Sequence, residues 1–439
     1  VLTARQAADL IKDGDTVTLS GFVANGIAEA LNTAAEERFL ETGHPKDLTL
    51  FWVAGTGNKD GSHADHYAHE GMVKKVIGGH FNFVPKICEM LSENKIEGYN
   101  VPQGAIAQML RDNAARKVGT ISHVGIGTFA DPRNGGGRLS EKTKEDIVKI
   151  IELEGQEQLF YPRIPLDVAF IRGTYADELG NITLEKEMAP LDATSQAMAV
   201  HNNGGLVVVQ VERVVKAGHL DPKLVKIPGI YVDAVVECPA DDPKQSQSIN
   251  CTYDPAYAGN TQVPVSSLEP KKLDAKKIIG RRAAMELKKN VVVNLGVGVP
   301  EWVSSVAAEE GVADEMTLTV ECGPVGGVPG GGLRFGGSVN AQAYMDEGYQ
   351  FDFYDGGGLD LCFLGLAEVD NNGDVNVSRL GTRITGSGGF SKIFFYSKKK
   401  GFFGEDHRHI FRHGVLCHRG EQYSGRTAEM ARHRGGTKQ

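Results

Sequence analysis

Short apolar runs alternate with helical patterns along most of the chain. The runs rich in Val, Ile and Leu are DTVTLSG, DLTLFWVAG, LDVAFI and GLVVVQVERVV in the first half, and NVVVNLG, MTLTVE and LDLCFLG in the second. Near-continuous apolar strands separated by helices are typical of parallel sheets that are covered on both faces. The pattern predicts an α/β fold with open, largely parallel sheets.

The two halves of the chain resemble each other. RQAADLIKDGDTVTLSG resembles RRAAMELKKNVVVNLG, and LDVAFIRGTYADELGNITL resembles LDLCFLGLAEVDNNGDVNV. A repeat of this length predicts two related α/β domains. The segment between them is rich in Pro, Ser and Asp and lacks periodicity, which is typical of a linker. We expect a first domain at 1–240, a linker at 241–272, a second domain at 273–390 and an atypical tail at 391–439.

The halves differ at two polar positions. When LTLFWVAG is aligned with MTLTVECG, Val53 falls opposite Glu321. When the glycines after the first strand of each half are aligned, Leu19 falls opposite Asn294. We therefore expect the chemistry to lie in the second half.

Glu321 ends an apolar strand and is followed at once by the glycine-rich stretch GPVGGVPGGG. A carboxylate is costly there unless it is paired or used, and the carboxyl ends of parallel strands form the ligand crevice of open sheets. A turn cap or an ion pair is the alternative for a lone strand-end Glu, but glycines allow a ligand to approach closely. No metal-ligand cluster and no separate nucleophile motif lies nearby, which favours Glu321 as a nucleophile that forms a covalent acyl intermediate.

Five ordered motifs, TVECGPVGG, NLGVGVPE, PQGAIAQMLR, GIGTFADPRNGGG and GSGGF, resemble family I coenzyme A transferases, above all the propionate and acetate CoA-transferases. The resemblance covers residues 1 to about 390. It implies two related domains of the CoA-transferase and sugar-phosphate-isomerase type, with the active site in the cleft between them. It also implies a ping-pong transfer through a glutamyl-CoA thioester, with acyl-CoA and short-chain carboxylates as substrates, no bound cofactor and a homo-oligomeric assembly.

The resemblance assigns roles to individual residues. Glu321 is the expected nucleophile, and the side-chain amide of Asn294 and the backbone N–H of Gly389 are the expected oxyanion donors. Gln103 is expected to line the site from the first domain. We further expect glycine-rich turns to shape the substrate cleft, although each glycine could equally serve a plain tight turn; they are Gly125, Gly127, Gly296, Gly298, Gly326 and Gly327.

The stretch GIGTFA also fits a dinucleotide-binding fingerprint. However, DPRNGGG follows it directly, and a proline with three glycines predicts a loop where the fingerprint needs a helix. A nicotinamide-dependent enzyme is therefore disfavoured.

Composition limits the remaining function classes. The 439 residues have a formal net charge of -9, which argues against a nucleic-acid surface. The sequence contains no run of about 18 apolar residues, which argues against a membrane span. Six cysteines without a C-x-x-C pair and an N-terminus without an apolar signal segment predict a cytoplasmic protein. Two alternatives stay open: a thioester hydrolase on the same scaffold, and an inactive effector-binding protein of the same fold.

The tail after Phe390 departs from the family pattern. Residues 391–439 contain eleven Lys or Arg, four Asp or Glu, and five of the thirteen His. The potential ligands His407, His409, His413, Cys417 and His418 fit no structural zinc spacing, so we expect no metal site. A basic anion-binding tail and a disordered tail are alternatives. Our preferred hypothesis is that the reading frame changes just after Phe390, so that the second domain lacks its closing strands.

Overall fold

The first half of the chain forms a seven-stranded parallel sheet. The computed structural model describes residues 1–370, 374–403 and 416–419. The strands of the first half are β1 (Thr16–Leu19), β2 (Leu48–Trp52), β3 (Val73–Gly78), β4 (Glu97–Asn100), β5 (Gly119–Ser122), β6 (Lys149–Leu153), β7 (Gln156–Pro162), β8 (Val168–Arg172), β9 (Tyr175–Asp177), β10 (Ile182–Thr183), β11 (Leu206–Val211), β12 (Arg213–Val215), β13 (Val225–Ile227) and β14 (Ala234–Glu237). Its helices are α1 (Ala4–Ala8), α2 (Glu29–Thr42), α3 (Pro85–Ser92), α4 (Gln103–Ala114) and α5 (Ala193–Asn202).

The main sheet has the order β14-β11-β8-β1-β2-β3-β4, and all its neighbouring strands run parallel. Along β2, Leu50 and Trp52 belong to one apolar core and Phe51 to another. Since side chains alternate between the faces of a strand, each face of the sheet is covered by its own core. The predicted α/β class is confirmed.

The second half builds a smaller version of the same sheet. Its strands are β15 (Val292–Leu295), β16 (Thr317–Thr319), β17 (Pro324–Val325), β18 (Val328–Pro329), β19 (Ser338–Val339), β20 (Ala343–Tyr344), β21 (Leu361–Gly365), β22 (Glu368–Val369), β23 (Val375–Asn376), β24 (Arg379–Leu380), β25 (Arg383–Ile384), β26 (Lys399–Phe403) and β27 (Leu416–Arg419). Its helices are α6 (Ala275–Ala284), α7 (Glu301–Glu309), α8 (Glu347–Asp355) and α9 (Phe390–Tyr396).

The sheet order of the second half is β20-β17-β16-β15-β21-β26-β27. Its central strands β16, β15, β21 and β26 run parallel, whereas β17, β20 and β27 pair antiparallel at the edges. The central order repeats β2-β1-β8-β11 of the first half, so the internal repeat seen in the sequence is a repeat of topology.

The strand register corrects one residue of the predicted alignment. Thr18 pairs with Phe51 in the first sheet, and Asn294 pairs with Thr319 in the second. Thr18 is therefore the counterpart of Asn294, and the expected match of Leu19 with Asn294 is wrong by one residue. The glycines used for that alignment lie beyond the strands, where strand pairing no longer fixes the spacing.

The expectation that the second domain lacks its closing strands is wrong for β26. This strand pairs in parallel with β21, from Lys399 opposite Leu361 to Phe403 opposite Gly365. The expected change of reading frame stays a prediction. The side chains named as potential metal ligands in the tail lie outside the described residues.

Helices α4, α8 and α9 join the two domains. Gly104 on α4 lies against Lys392 and Phe351, and a Cβ at this glycine would lie 2.4 Å from Lys392 Cδ. The Lys392 ammonium, with its side chain 1 % exposed, donates to Asp355 Oδ2 at 2.5 Å and to Gln108 Oε1 at 2.7 Å. The N-termini of α4 and α8 lie beside each other, since Gln103 Nε2 donates to Glu347 Oε1 at 2.6 Å.

Candidate active site

Glu321 lies just past the carboxyl end of β16, beside the neighbouring strand β15. Its side chain is 7 % exposed, and its Oε2 accepts a hydrogen bond from Asn294 Nδ2 at 3.3 Å. Burial raises the pKa of Glu321, and the Asn294 hydrogen bond opposes this shift. The structure thus brings together the expected nucleophile and the first expected oxyanion donor.

The Asn294 amide is positioned by a network that the sequence reasoning missed. Its Nδ2 also lies 3.3 Å from the Tyr354 hydroxyl and 3.4 Å from the Thr319 carbonyl oxygen. Tyr354 donates to Thr319 Oγ1 at 2.9 Å and accepts from Gln350 Nε2 at 2.9 Å. Gln350 and Tyr354 are four residues apart on α8, a spacing that puts both on one helix face and was visible in the sequence.

Gly389, the second expected oxyanion donor, is the N-cap residue of α9 and lies next to Glu321. A Cβ at Gly389 would be 3.5 Å from Glu321 Cγ and 2.9 Å from Ile393 Cδ1. Among the described residues, no acceptor takes the Gly389 N–H. A free backbone donor beside the carboxylate is what stabilisation of an oxyanion requires.

The loop before Gly389 is fastened to the first domain. The Ser387 N–H donates to Asn100 Oδ1 at 3.0 Å, and the Gly388 N–H donates to the Gly79 carbonyl at 2.8 Å. The Gly388 carbonyl in turn accepts from the Gln103 N–H at 3.0 Å. Both domains therefore fix the position of the loop.

Gln103 begins α4 and reaches the same cleft from the first domain. It is 2 % exposed, and its Nε2 donates to Glu347 Oε1 at 2.6 Å. Both Gln103 and Glu321 line an interdomain cavity of about 600 Å³. The structure thus brings Gln103, from the first domain, to the same cavity as Glu321.

The predicted substrate-binding glycines fall into two groups. Gly296 and Gly298 lie in the turn between β15 and α7 and line the cavity. Glu301 Oε1 fixes this turn by accepting a hydrogen bond from the Gly298 N–H at 2.7 Å. Gly326 and Gly327 instead connect β17 to β18, where a Cβ on Gly327 would lie 2.2 Å from the Val339 carbonyl oxygen.

Gly125 and Gly127 likewise do not line the cavity. They belong to a turn after β5, in which Gly127 N–H donates to Asp131 Oδ2 at 2.8 Å. The turn leads into a short 3₁₀ helix, Pro132–Asn134, and not into the long helix of a dinucleotide fingerprint. β5 itself pairs antiparallel with β7 in a separate small sheet.

Aromatic side chains from both domains are among the residues that line the cavity. Phe22 of the first domain stacks on Phe335 of the second, with ring centroids 5.8 Å apart. His80 lies 5.4 Å from the ring of Phe83, and burial lowers its pKa to about 4, so that the imidazole is neutral at pH 7. Arg383 provides a cation among the lining residues and donates to Asn82 Oδ1 at 2.8 Å. The site combines an apolar wall with a few polar groups, as small-molecule sites do.

Among the side chains that the structure describes, no group of three or more His, Cys, Asp or Glu is placed to hold a metal ion. No described helix is long and apolar enough to cross a membrane.

A family model described as coenzyme A transferase matches residues 1–238. The chain is 43 % identical over 407 residues to acetate CoA-transferase YdiF of Escherichia coli strain K12. This match covers 92 % of this chain and 76 % of the relative. It is 42 % identical over 408 residues to caffeate CoA-transferase of Acetobacterium woodii, across 92 % of this chain and 78 % of that one.

A solved structure of acyl-CoA transferase YdiF from E. coli O157:H7, described as a thioester complex with CoA, superimposes with a TM-score of 0.85. The match has 41 % sequence identity and covers 91 % of this chain and 75 % of the other. The site described above therefore lies in a fold that is shared with an acyl-CoA transferase.

Proposed function

The chain belongs to the coenzyme A transferase family, and we propose that it moves coenzyme A from a short-chain acyl-CoA to an acetate- or propionate-type carboxylate. The observation that carries the proposal is the buried Glu321 carboxylate with an amide donor at 3.3 Å and the backbone N–H of Gly389 beside it. The carboxylate is suited to attack a carbonyl carbon, and the two N–H donors are suited to stabilise the oxyanion that results.

The transfer proceeds in two half-reactions. A Glu321 oxygen attacks the thioester carbonyl carbon and the C–S bond breaks. CoA leaves as a thiolate, and the acyl group stays on Glu321 as a mixed anhydride. The thiolate then attacks the glutamyl carbonyl carbon and releases the original acid as its carboxylate, which leaves CoA bound to Glu321 as a thioester. The incoming carboxylate reverses these steps and departs as the new acyl-CoA.

The oxyanion of each tetrahedral intermediate accepts hydrogen bonds from Asn294 Nδ2 and the Gly389 N–H. These donors are fixed before reaction, Asn294 by the Tyr354 and Thr319 contacts and Gly389 by its place at the start of α9. Fixed donors need no reorganisation when the charge develops, so they lower the barrier more than mobile donors would.

The lining of the cavity favours a short-chain acyl group at the Glu321 end. Glu321 is 7 % exposed and lines the cavity together with the apolar rings of Phe22, Phe83 and Phe335, which favours a small apolar acyl group. Curated relatives named for acetate and for caffeate show similar identity to this chain. We therefore propose acetate and propionate as acceptors, and caffeate is the comparison substrate.

The proposal includes three further properties. The reaction needs no bound cofactor, because the nucleophile and both oxyanion donors are protein groups. The protein acts in the cytoplasm, where acyl-CoA and free carboxylates are available together. It works as a homo-oligomer, for which light scattering of the purified protein is the direct measurement.

Isotope exchange tests the proposed mechanism. In a ping-pong reaction, labelled acetate enters acetyl-CoA without a second acid, because the first half-reaction is reversible. We expect this exchange in the native protein and none in Glu321→Gln, which keeps the size of the side chain but removes the nucleophilic carboxylate. Exchange that persists in Glu321→Gln, or a folded native protein that shows none, would contradict the proposal.

A further inference from the structure

A second pair of buried carboxyl groups lies beside the cavity, apart from Glu321. Glu347 is the first residue of α8 in the second domain, and Asp192 directly precedes α5 in the first. They are 1 % and 5 % exposed, and the two segments that carry them meet across the domain boundary. The Glu347 N–H, which donates to the Leu191 carbonyl at 3.0 Å, joins the same two segments.

The pair has more acceptors than donors around it. Gln103 Nε2 donates to Glu347 Oε1 at 2.6 Å, whereas no ordinary donor among the described residues reaches Asp192 Oδ1. A proton between the two carboxyl groups provides the hydrogen bond that the pair otherwise lacks.

The charged and titratable groups that face the pair do not neutralise it. Glu321, Asp346 and Cys322 add negative charge or stay neutral. Among the residues that the structure describes, Arg111 is a cation that acts on Asp192, and it forms an ion pair with Asp352 at 2.6 Å. Two adjacent carboxylates without a dedicated cation are costly to bury in fully ionised form.

We propose that Glu347 and Asp192 hold one proton between them, and that Glu347 is thereby an uncharged positioning residue that orients Gln103 beside the nucleophile. The inference rests on the proposed function, because the charge state of Glu347 affects the carboxylate substrate and the oxyanion that this function brings to the cleft. The two helix N-termini favour the single negative charge that remains on the pair.

The titration behaviour of the pair agrees with this assignment. Burial raises the pKa of Asp192 to about 7, and burial together with the Asp192 charge raises the pKa of Glu347 well above its usual range. Glu347 therefore keeps its proton at neutral pH and donates it to Asp192.

An uncharged Glu347 protects the reaction from electrostatic repulsion. A negative charge at Glu347 would raise the pKa of Glu321, repel the incoming carboxylate substrate and oppose the oxyanion. Every 1.4 kcal/mol of such repulsion lowers kcat/KM for the acceptor about ten-fold. The KM for the carboxylate is thus the kinetic constant that responds most directly.

Three isosteric variants separate this role from a structural one. Glu347→Gln imitates the protonated side chain, since its amide accepts from Gln103 and donates to Asp192. Asp192→Asn removes the charge that raises the pKa of Glu347, and Asp346→Asn removes a neighbouring charge from the start of the same helix as a control. All three are checked for native circular dichroism and unfolding before use.

The first readout is the pH dependence of the KM for acetate between about pH 6 and about pH 9. We expect this KM to rise at alkaline pH in the native protein and in Asp346→Asn, to stay flat in Glu347→Gln, and to rise at lower pH in Asp192→Asn. A KM in Glu347→Gln that follows the native profile would overturn the inference.

The second readout does not depend on activity. In the infrared spectrum at neutral pH, the carboxylic-acid C=O band should be equally strong in the native protein and in Asp346→Asn, and weaker in Glu347→Gln, which lacks the protonated Glu347. A band of native strength in Glu347→Gln would also overturn the inference. If the band weakens in Glu347→Gln but the native protein shows no isotope exchange, the shared proton stands and the proposed function is refuted.

Discussion

Replacement of Asn294 by Ala tests the oxyanion site. The variant removes the Nδ2 donor 3.3 Å from Glu321 while leaving the carboxylate and the Gly389 N–H in place. Loss of one such donor typically costs about 10² to 10³ in kcat, which corresponds to about 2.7–4 kcal/mol. The native Asn294 hydrogen bond also lowers the pKa of Glu321, so its loss makes the nucleophile less acidic and adds to the defect at low pH.

The internal repeat provides a matched control for this variant. Thr18 occupies the equivalent position on β1, is 1 % exposed and accepts a hydrogen bond from Gln196 Nε2 at 3.0 Å. Thr18→Ala should therefore perturb its sheet much as Asn294→Ala does, but leave kcat within a few-fold of native. The assay is acetyl-CoA formation at saturating substrates together with urea unfolding of both variants. A folded Asn294→Ala protein with a kcat within about three-fold of native would refute the assigned role.

Three further predictions concern other parts of the structure. Gly389→Ala places a methyl group 2.9 Å from Ile393 Cδ1 beside the nucleophile, so kcat should fall while urea unfolding changes little. Asp355→Ala leaves the Lys392 ammonium buried without its carboxylate and should lower the free energy of unfolding by about 3–5 kcal/mol, whereas Asp352→Ala at the exposed ion pair should lower it by about 1 kcal/mol or less. Burial lowers the pKa of His80 from 6.5 to about 4, so between these pH values the unfolded chain binds a proton at His80 that the folded protein does not. The free energy of unfolding is therefore unaffected by this proton above pH 6.5 and decreases as the pH falls towards 4. His80→Gln should remove up to about 2 kcal/mol of the stability difference between pH 7 and pH 5.

The sequence pattern predicts the fold and the nucleophile for physical reasons. Buried parallel strands need continuous apolar runs, and β2 and β8 show them. A carboxylate at the end of such a run is unusual enough to identify Glu321. Asn294 was also identified, although its partner in the repeat is Thr18, because glycines in turns do not fix the register of the strands before them.

Other features give weak sequence signals. Glu347 and Asp192 stand at helix starts, where acidic residues are common on protein surfaces, and only the meeting of two domains buries them together. The edge strands β17 and β20 have two residues each, which is too short for a period to appear. β26 begins with lysines, yet Lys400 is 8 % exposed and lies 4.5 Å from the centroid of the Phe394 ring. The contact is made by the Lys400 ammonium over the face of the ring, a cation–π arrangement that a polar reading of KKGFF misses.

The central claim is that Glu321 carries CoA as a thioester, and peptide mass spectrometry tests it directly. The protein is incubated with propionyl-CoA and treated with borohydride, which reduces a glutamyl thioester to an alcohol, and the peptide that contains Thr319 to Gly327 is then sequenced. We predict loss of one oxygen and gain of two hydrogens at Glu321 in the native protein only when propionyl-CoA is present. An unmodified Glu321 in folded protein under these conditions would contradict the account.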